Sequence, residues 1–119
     1  MHIDFDEVEP RVFITQIPWR MNPKTNIFEP MFSLNAVADH GRPVEMFTRT
    51  DSSLPHDIGR RVKEALKGFR PTCDCILTTG DPGIISHVCA TLGRDYGGAF
   101  TQLLWNNQTR RYFKLKVRV

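Results

Sequence analysis

The chain has 119 residues, of which 40% are hydrophobic, and its 16 Lys and Arg against 13 Asp and Glu leave a formal net charge of +3. That is one domain of sequence, long enough to bury a core of its own without disulfide staples, and its net charge is mild. No apolar run approaches the roughly 18 residues needed to cross a bilayer, which excludes a helical membrane span.

Read in chain order, residues 2–9 alternate weakly, with Ile3 and Phe5 set against His2, Asp4 and Asp6, as in a short edge strand or an ordered arm. The run at 11–17 (RVFITQI) is rich in β-branched and aromatic residues and reads as a strand, closed by Pro18, which cannot donate to a ladder. Pro18, Pro23 and Pro30 then punctuate Trp19, Met21, Ile27, Phe28, Met31 and Phe32, so a loop is expected whose arms pack on the core or on a partner, turning at Asn22-Pro23-Lys24-Thr25-Asn26. Ser33 is placed to cap a short helix through Val37 that stops at Gly41, and 42–48 (RPVEMFT) reads as a second strand.

Asp51, Ser52, Ser53 and Pro55 announce a helix whose residues Ile58, Val62, Ala65, Leu66 and Phe69 share one side, while Arg60, Arg61, Lys63, Glu64 and Lys67 take the other. Gly68 and Pro71 end it. The stretch CDCILTTGDPGIISHVCATLGRDYGG at 73–98 reads as strand, tight turn and helix. Asp81 serves as N-cap, Pro82 occupies the first helical position, and Ile84, Ile85, Val88, Cys89 and Leu92 recur at helical spacing before Gly97 and Gly98. Two final runs face each other across Asn106-Asn107-Gln108-Thr109, a hairpin signal, and in the second Phe113, Leu115, Val117 and Val119 alternate with Tyr112, Lys114, Lys116 and Arg118, predicting one buried face and one wet face. The expectation is a single α/β domain over 1–119, with α+β as the alternative. It has a mixed sheet of four to five strands, two main helices and a C-terminal β-hairpin.

Cys73, Cys75 and Cys89 are odd in number and lie on segments that read as buried, so no disulfide framework is expected. With no cationic leader ahead of an apolar run, the reducing cytoplasm is the expected setting. Charge is unevenly spread: Asp4, Asp6, Glu7 and Glu9 crowd one end, whereas Arg110, Arg111, Lys114, Lys116 and Arg118 lie in an acid-free C-terminal stretch.

The combination of Thr79-Gly80-Asp81-Pro82, an apolar helix, and Leu104-Trp105-Asn106-Asn107-Gln108-Thr109-Arg110-Arg111-Tyr112 resembles small accessory proteins of tailed bacteriophages. Ile17-Pro18-Trp19-Arg20-Met21-Asn22, Asn35-Ala36 and Gly41 fit the same pattern. The resemblance covers most of the chain and carries no activity with it. It implies an accessory protein working in the bacterial cytoplasm, of a kind more often an inhibitor or adaptor than a catalyst.

Five chemistries are open at this level. The turn formed by Thr78, Thr79, Gly80, Asp81 and Gly83 feeds a helix N-terminus and could hold a nucleotide or phosphate, but Asp81 sits where the anion would and can cap the helix itself. The spacing matches neither a P-loop nor the dinucleotide fingerprint. Cys73, Cys75, His87 and Cys89 lack zinc spacing, with His87 and Cys89 about 200° apart around a helix, so no metal or other cofactor is expected. Ser86 and His87 point apart, and no nucleophile motif is present, so no catalytic residue is assigned. Arg110, Arg111, Lys114, Lys116 and Arg118, with Tyr112 and Trp105 nearby, suit phosphates and stacked bases, or only the solvated, protected face of an edge strand that the acidic segment at 4–9 could pair with and neutralise. Trp19, Arg20 and Met21 are residue types enriched at interfaces and their hot spots, and core packing of Trp19 is an equal alternative to partner contact.

The expected function is a non-enzymatic phage-type accessory protein that contacts a host protein or nucleic acid through the basic hairpin and the Trp19 loop, without a membrane partner. A homodimer through the loop or the hairpin edge fits the same features. The competing expectation is a nucleotide- or phosphate-binding protein using the 79–83 turn.

Overall fold

The computed structural model describes residues 9–51 and 56–118. The arm expected at 2–9, the helix-start residues Ser52, Ser53 and Pro55, and Val119 therefore lie outside the described residues, save Glu9 itself. Strand β1 (Arg11–Gln16) is followed by β2 (Trp19–Met21), β3 (Phe28–Pro30), α1 (Leu34–Ala38), β4 (Arg42–Phe47), α2 (Ile58–Ala65), β5 (Cys75–Leu77), α3 (Pro82–Asp95), β6 (Ala99–Asn106) and β7 (Arg111–Arg118). Five strands form one mixed sheet in the order β4-β1-β5-β6-β7, parallel except for β7, which returns antiparallel to β6. This is the expected mixed sheet with two main helices and a C-terminal hairpin.

Burial follows the patterning. β1 is buried on both sides: Phe13 joins Phe47, Ile76 and Phe100 under α2 and α3, while Val12 and Ile14 join Cys75, Leu77 and Leu103 under Val37 of α1. A central parallel strand covered on two faces reads as a continuous apolar run rather than an alternation, and RVFITQ has that character. On α3, Asp81 accepts hydrogen bonds from the Gly83 and Ile84 backbone N–H groups at 2.7 and 3.3 Å, with Pro82 at the start of the helix. On α1, Ser33 accepts from the Ala36 N–H at 3.2 Å. α2 is shorter than its apolar pattern, since Leu66 and Phe69 are buried from the turn that follows it.

Two features differ from the sequence reading. The proline-punctuated stretch is not only a loop: β2 and β3 pair antiparallel, with Trp19 opposite Pro30, Arg20 opposite Glu29 and Met21 opposite Phe28. The face of β7 expected to be buried is only partly so, because Phe113 and Leu115 are 41% and 46% exposed. The alternation is present, but β7 is the sheet edge, and of its apolar residues Val117 alone is covered by the core on the α2–α3 face among the described residues.

The chain order reverses between β1 and β5: β4 is laid on one side of β1, and β5, β6 and β7 on the other. α1 lies on one face of the sheet and α2 and α3 on the other. Open α/β sheets commonly bind ligands outside the C-terminal ends of the strands at such a reversal.

Candidate functional site

The reversal point is filled by the protein's own side chains. Gln16, at the end of β1, donates from Nε2 to the carbonyls of Thr48 at 2.7 Å and Asp51 at 2.8 Å, and its Oε1 accepts from the Asp81 N–H at 2.7 Å. Thr15 accepts from the Thr79 N–H at 2.8 Å and donates to the Thr79 carbonyl. Gly80 has φ +93°, and a Cβ there would stand 2.5 Å from Gln16 Oε1, so the turn takes glycine for both conformation and space. Of the tentative ligand residues, the Gly83 N–H is held by Asp81 and the Asp81 N–H by Gln16. The N-terminal donors of α3 that an anion would need are engaged in capping and packing.

The cysteine and histidine cluster does not assemble. Cys75 packs on the α1 face of the sheet, whereas His87 and Cys89 ride on α3 across the other face. Among the described residues, no group of three or more His, Cys, Asp or Glu side chains is placed to hold a metal ion. Burial pushes the Cys75 thiol up to about 11 and raises that of Cys89 as well. Both are therefore protonated at neutral pH and poor nucleophiles.

Next to the reversal point, on the α1 face, lies a cavity of about 1040 Å³. Leu77 and Leu103 are among its apolar lining, Met31, Phe32, Ser33 and Ala36 come from the β3–α1 side, and Asp39 and His40 follow α1. Thr78 and Thr79 line it from the end of β5, and Trp105, Arg110, Arg111 and Tyr112 from the β6–β7 hairpin. Thr78 Oγ1 accepts from Gln102 Nε2 at 2.9 Å, which leaves its proton uncommitted among the described residues. Thr78 and Thr79, singled out for a small ligand, and Arg110, Arg111 and Tyr112, singled out for a macromolecule, thus come together on one cavity. Phe32, Asp39 and His40 were not singled out by the sequence reading. Their one signal is proximity to a capped short helix that stops at a glycine.

The hairpin is locally well specified. Asn106 Oδ1 accepts from the Gln108 and Thr109 N–H groups at 2.8 and 3.1 Å, and its carbonyl accepts from Arg110 N–H at 2.8 Å with Arg110 at φ +59°. These bonds close the turn as an Asx turn followed by a left-handed residue. Cross-strand register then pairs Trp105 with Tyr112, Leu103 with Lys114 and Thr101 with Lys116. Directly opposite residues share a face, so Tyr112, Lys114 and Lys116 extend along the α1 face. Trp105 meets Tyr112 edge to face at 5.0 Å, Trp105 Nε1 donates to Asn107 Oδ1 at 2.9 Å, and His40 also stands edge to face with Tyr112 at 6.3 Å. Burial raises the Tyr112 hydroxyl pKa, so the ring is neutral at physiological pH.

Arg110, Arg111, Lys114, Lys116 and Arg118 are exposed, and none forms an ion pair with a described residue. Residues 99–118 contain no Asp or Glu. Trp19 and Arg20 lie apart from this group, on β2, where Trp19 is 37% exposed. Trp19, Met21 and Phe28 share one face of that small ribbon, and Arg49 stacks over the Phe28 ring at 4.7 Å. No described helix is long and apolar enough to cross a membrane.

No curated protein and no solved structure matches the chain. A family model described as phage Pam3 gp32-like protein matches residues 10–119, a span that takes in the whole sheet, the cavity and the hairpin. This is a bacteriophage protein, and the chain belongs to the phage Pam3 gp32-like protein family.

Proposed function

We propose that this phage accessory protein acts by binding rather than by catalysis, and that its β6–β7 ribbon receives single-stranded nucleic acid. The observation that carries this reading is the row of exposed cations at Lys114, Lys116 and Arg118 on the face that carries the Trp105–Tyr112 pair, with Arg110 and Arg111 exposed at the turn, none of them in an ion pair among the described residues. Alternate residues of an antiparallel strand are about 7 Å apart, so Lys114 and Lys116 offer successive charges along an extended anion. Aromatic rings beside a cationic track favour unpaired bases over a closed duplex, because every unstacked base offers a π-face.

Each phosphate neutralised on a single strand steepens the fall of log K with log salt by about 0.7. With all five cations engaged, affinity should drop about 100-fold between 50 and 200 mM salt. The test is fluorescence anisotropy of a labelled oligothymidylate across that range, with the native chain and Lys114→Glu/Lys116→Glu. Both lysines are exposed, so the fold does not depend on them, and the reversal should abolish the salt-sensitive binding. Binding unmoved by the pair would sink the proposal.

The second reading is a host-protein contact through the β2–β3 arm. Trp19, Met21, Ile27, Phe28 and Met31 are all more than a third exposed there, an apolar surface of the kind that marks protein interaction sites. Capture from a host lysate that survives nuclease and is lost on Trp19→Ser/Met21→Ser would favour it.

A further inference from the structure

The cavity beneath α1 is more than a continuation of the ribbon. It is concave, its floor is apolar, and its volume of about 1040 Å³ sits at the upper end of the range for small-ligand pockets, roughly 300 to 1,000 Å³. Its polar groups divide by place. Arg110 and Arg111 are exposed at the hairpin end, whereas Thr78 and Thr79 are half-buried where β5 ends. Between them stand Trp105, 43% exposed, and the half-buried rings of Tyr112 and Phe32. Tyr112 is met edge to face by both Trp105 and His40, so the ring surface left open to a planar guest is chiefly that of Trp105. A guest that suits all three sets of groups at once is planar and aromatic, carries hydrogen-bonding edges, and bears an anion at one end.

We propose that this cavity is a base-and-phosphate pocket. One unstacked nucleobase enters against Trp105 and Tyr112, its edge meets the Thr79 hydroxyl where β5 ends, and its phosphate is held by Arg110 and Arg111. The proposal rests on the reading of the ribbon as a nucleic-acid surface and deepens it. Lys114 and Lys116 follow the backbone without regard to sequence, and the cavity takes one base of the strand. A free nucleotide has the same chemistry and is the other source of such a guest.

The test follows tryptophan emission and binding together, with three probes: a single-stranded oligothymidylate, a phosphodiester chain of the same length without bases, and thymidine monophosphate. The oligothymidylate should quench an emission component that is missing in Trp105→Phe. It should bind more tightly than the baseless chain by about 5- to 150-fold, the worth of stacking one base. Trp105→Ala should bring the two chains to the same affinity, and the exposure of Trp105 makes that variant safe for folding. Equal affinity of the native chain for both probes would overturn the pocket while leaving the ribbon reading intact. Quenching by the mononucleotide with no binding of either chain would support the pocket as a free-nucleotide site and end the ribbon reading. Silence from all three probes would end both.

Discussion

Replacing Asp74 by asparagine should cost the fold about 3 kcal/mol at neutral pH, and should flatten its response to acid. The Asp74 side chain has no exposure to solvent and is gripped from two sides. Arg11 donates to it from its backbone N–H, Nε and Nη2 at 3.0, 3.4 and 2.8 Å, and Arg70 from the same three groups at 2.8, 3.2 and 2.9 Å. Arg11 also donates to the Gly68 carbonyl and Arg70 to that of Glu9, so the carboxylate fastens the start of β1 to the segment that follows α2. An asparagine keeps one acceptor oxygen and turns an N–H₂ group toward N–H donors. Removing one partner of a buried ion pair costs about 3–5 kcal/mol, and the lower end applies because the arginine side chains are 21% and 31% exposed and can turn to water. Burial alone would raise the Asp74 carboxyl pKa, but the hydrogen bonds from Arg70 and Arg11 outweigh it and hold the group below its ordinary value. The folded pKa is depressed, so the stabilisation is present above the unfolded value near 3.9 and is lost as pH falls through the folded one. Urea denaturation from pH 7 to pH 3 should therefore show native stability falling toward acid more steeply than that of Asp74→Asn, with the two curves converging. A penalty under about 1 kcal/mol at pH 7, or parallel curves through the acid range, would refute the reasoning.

The turn at Gly80 offers a paired test: Gly80→Ala must bear φ +93° and displace Gln16, whereas Gly97→Ala has φ +83° with nothing within 4 Å. Gly97→Ala should cost about 1 kcal/mol for the left-handed backbone alone, and Gly80→Ala at least twice that; equal costs by denaturant titration would show that Gln16 gives way freely. Cys75, with its thiol raised to about 11, should be alkylated about 100-fold more slowly at pH 7.5 in the native chain than in denaturant, read by peptide mass spectrometry. Rapid native labelling of Cys75 would contradict its burial in the sheet.

Much of the fold could be read along the chain because its strongest signals are local. Asp81 and Pro82 start α3 by capping chemistry that needs no tertiary partner, and the Ile84, Val88 and Leu92 spacing fixes which side of it is buried. β2 and β3 escaped because each is three residues long and proline-flanked, too short for a period of two to register. The exposure of Phe113 and Leu115 escaped because an alternating strand looks the same whether its apolar face meets a helix or overhangs the edge. The Asp74 clasp was passed over although it carried a signal: a single acid between Cys73 and Cys75, ahead of an apolar strand, is an expensive residue to bury without partners.

The location of the candidate site turns on one physical contrast. At the reversal point between β1 and β5, three polar side chains are already engaged: Gln16 uses both ends of its amide, Thr15 clasps the Thr79 backbone, and Asp81 caps its own helix. A ligand entering there would have to replace those bonds one for one, with no net gain. On the α1 face the balance is opposite. α1 is only five residues long, so the β6–β7 half of that face keeps the exposed Trp105 ring, Lys114, Lys116 and Arg118 without counter-charges among the described residues, and two threonines beside a cavity. Groups already satisfied resist a guest, whereas groups still facing water gain by one. The short helix that leaves the sheet uncovered is thus what shifts the proposed binding surface from the strand ends to the ribbon.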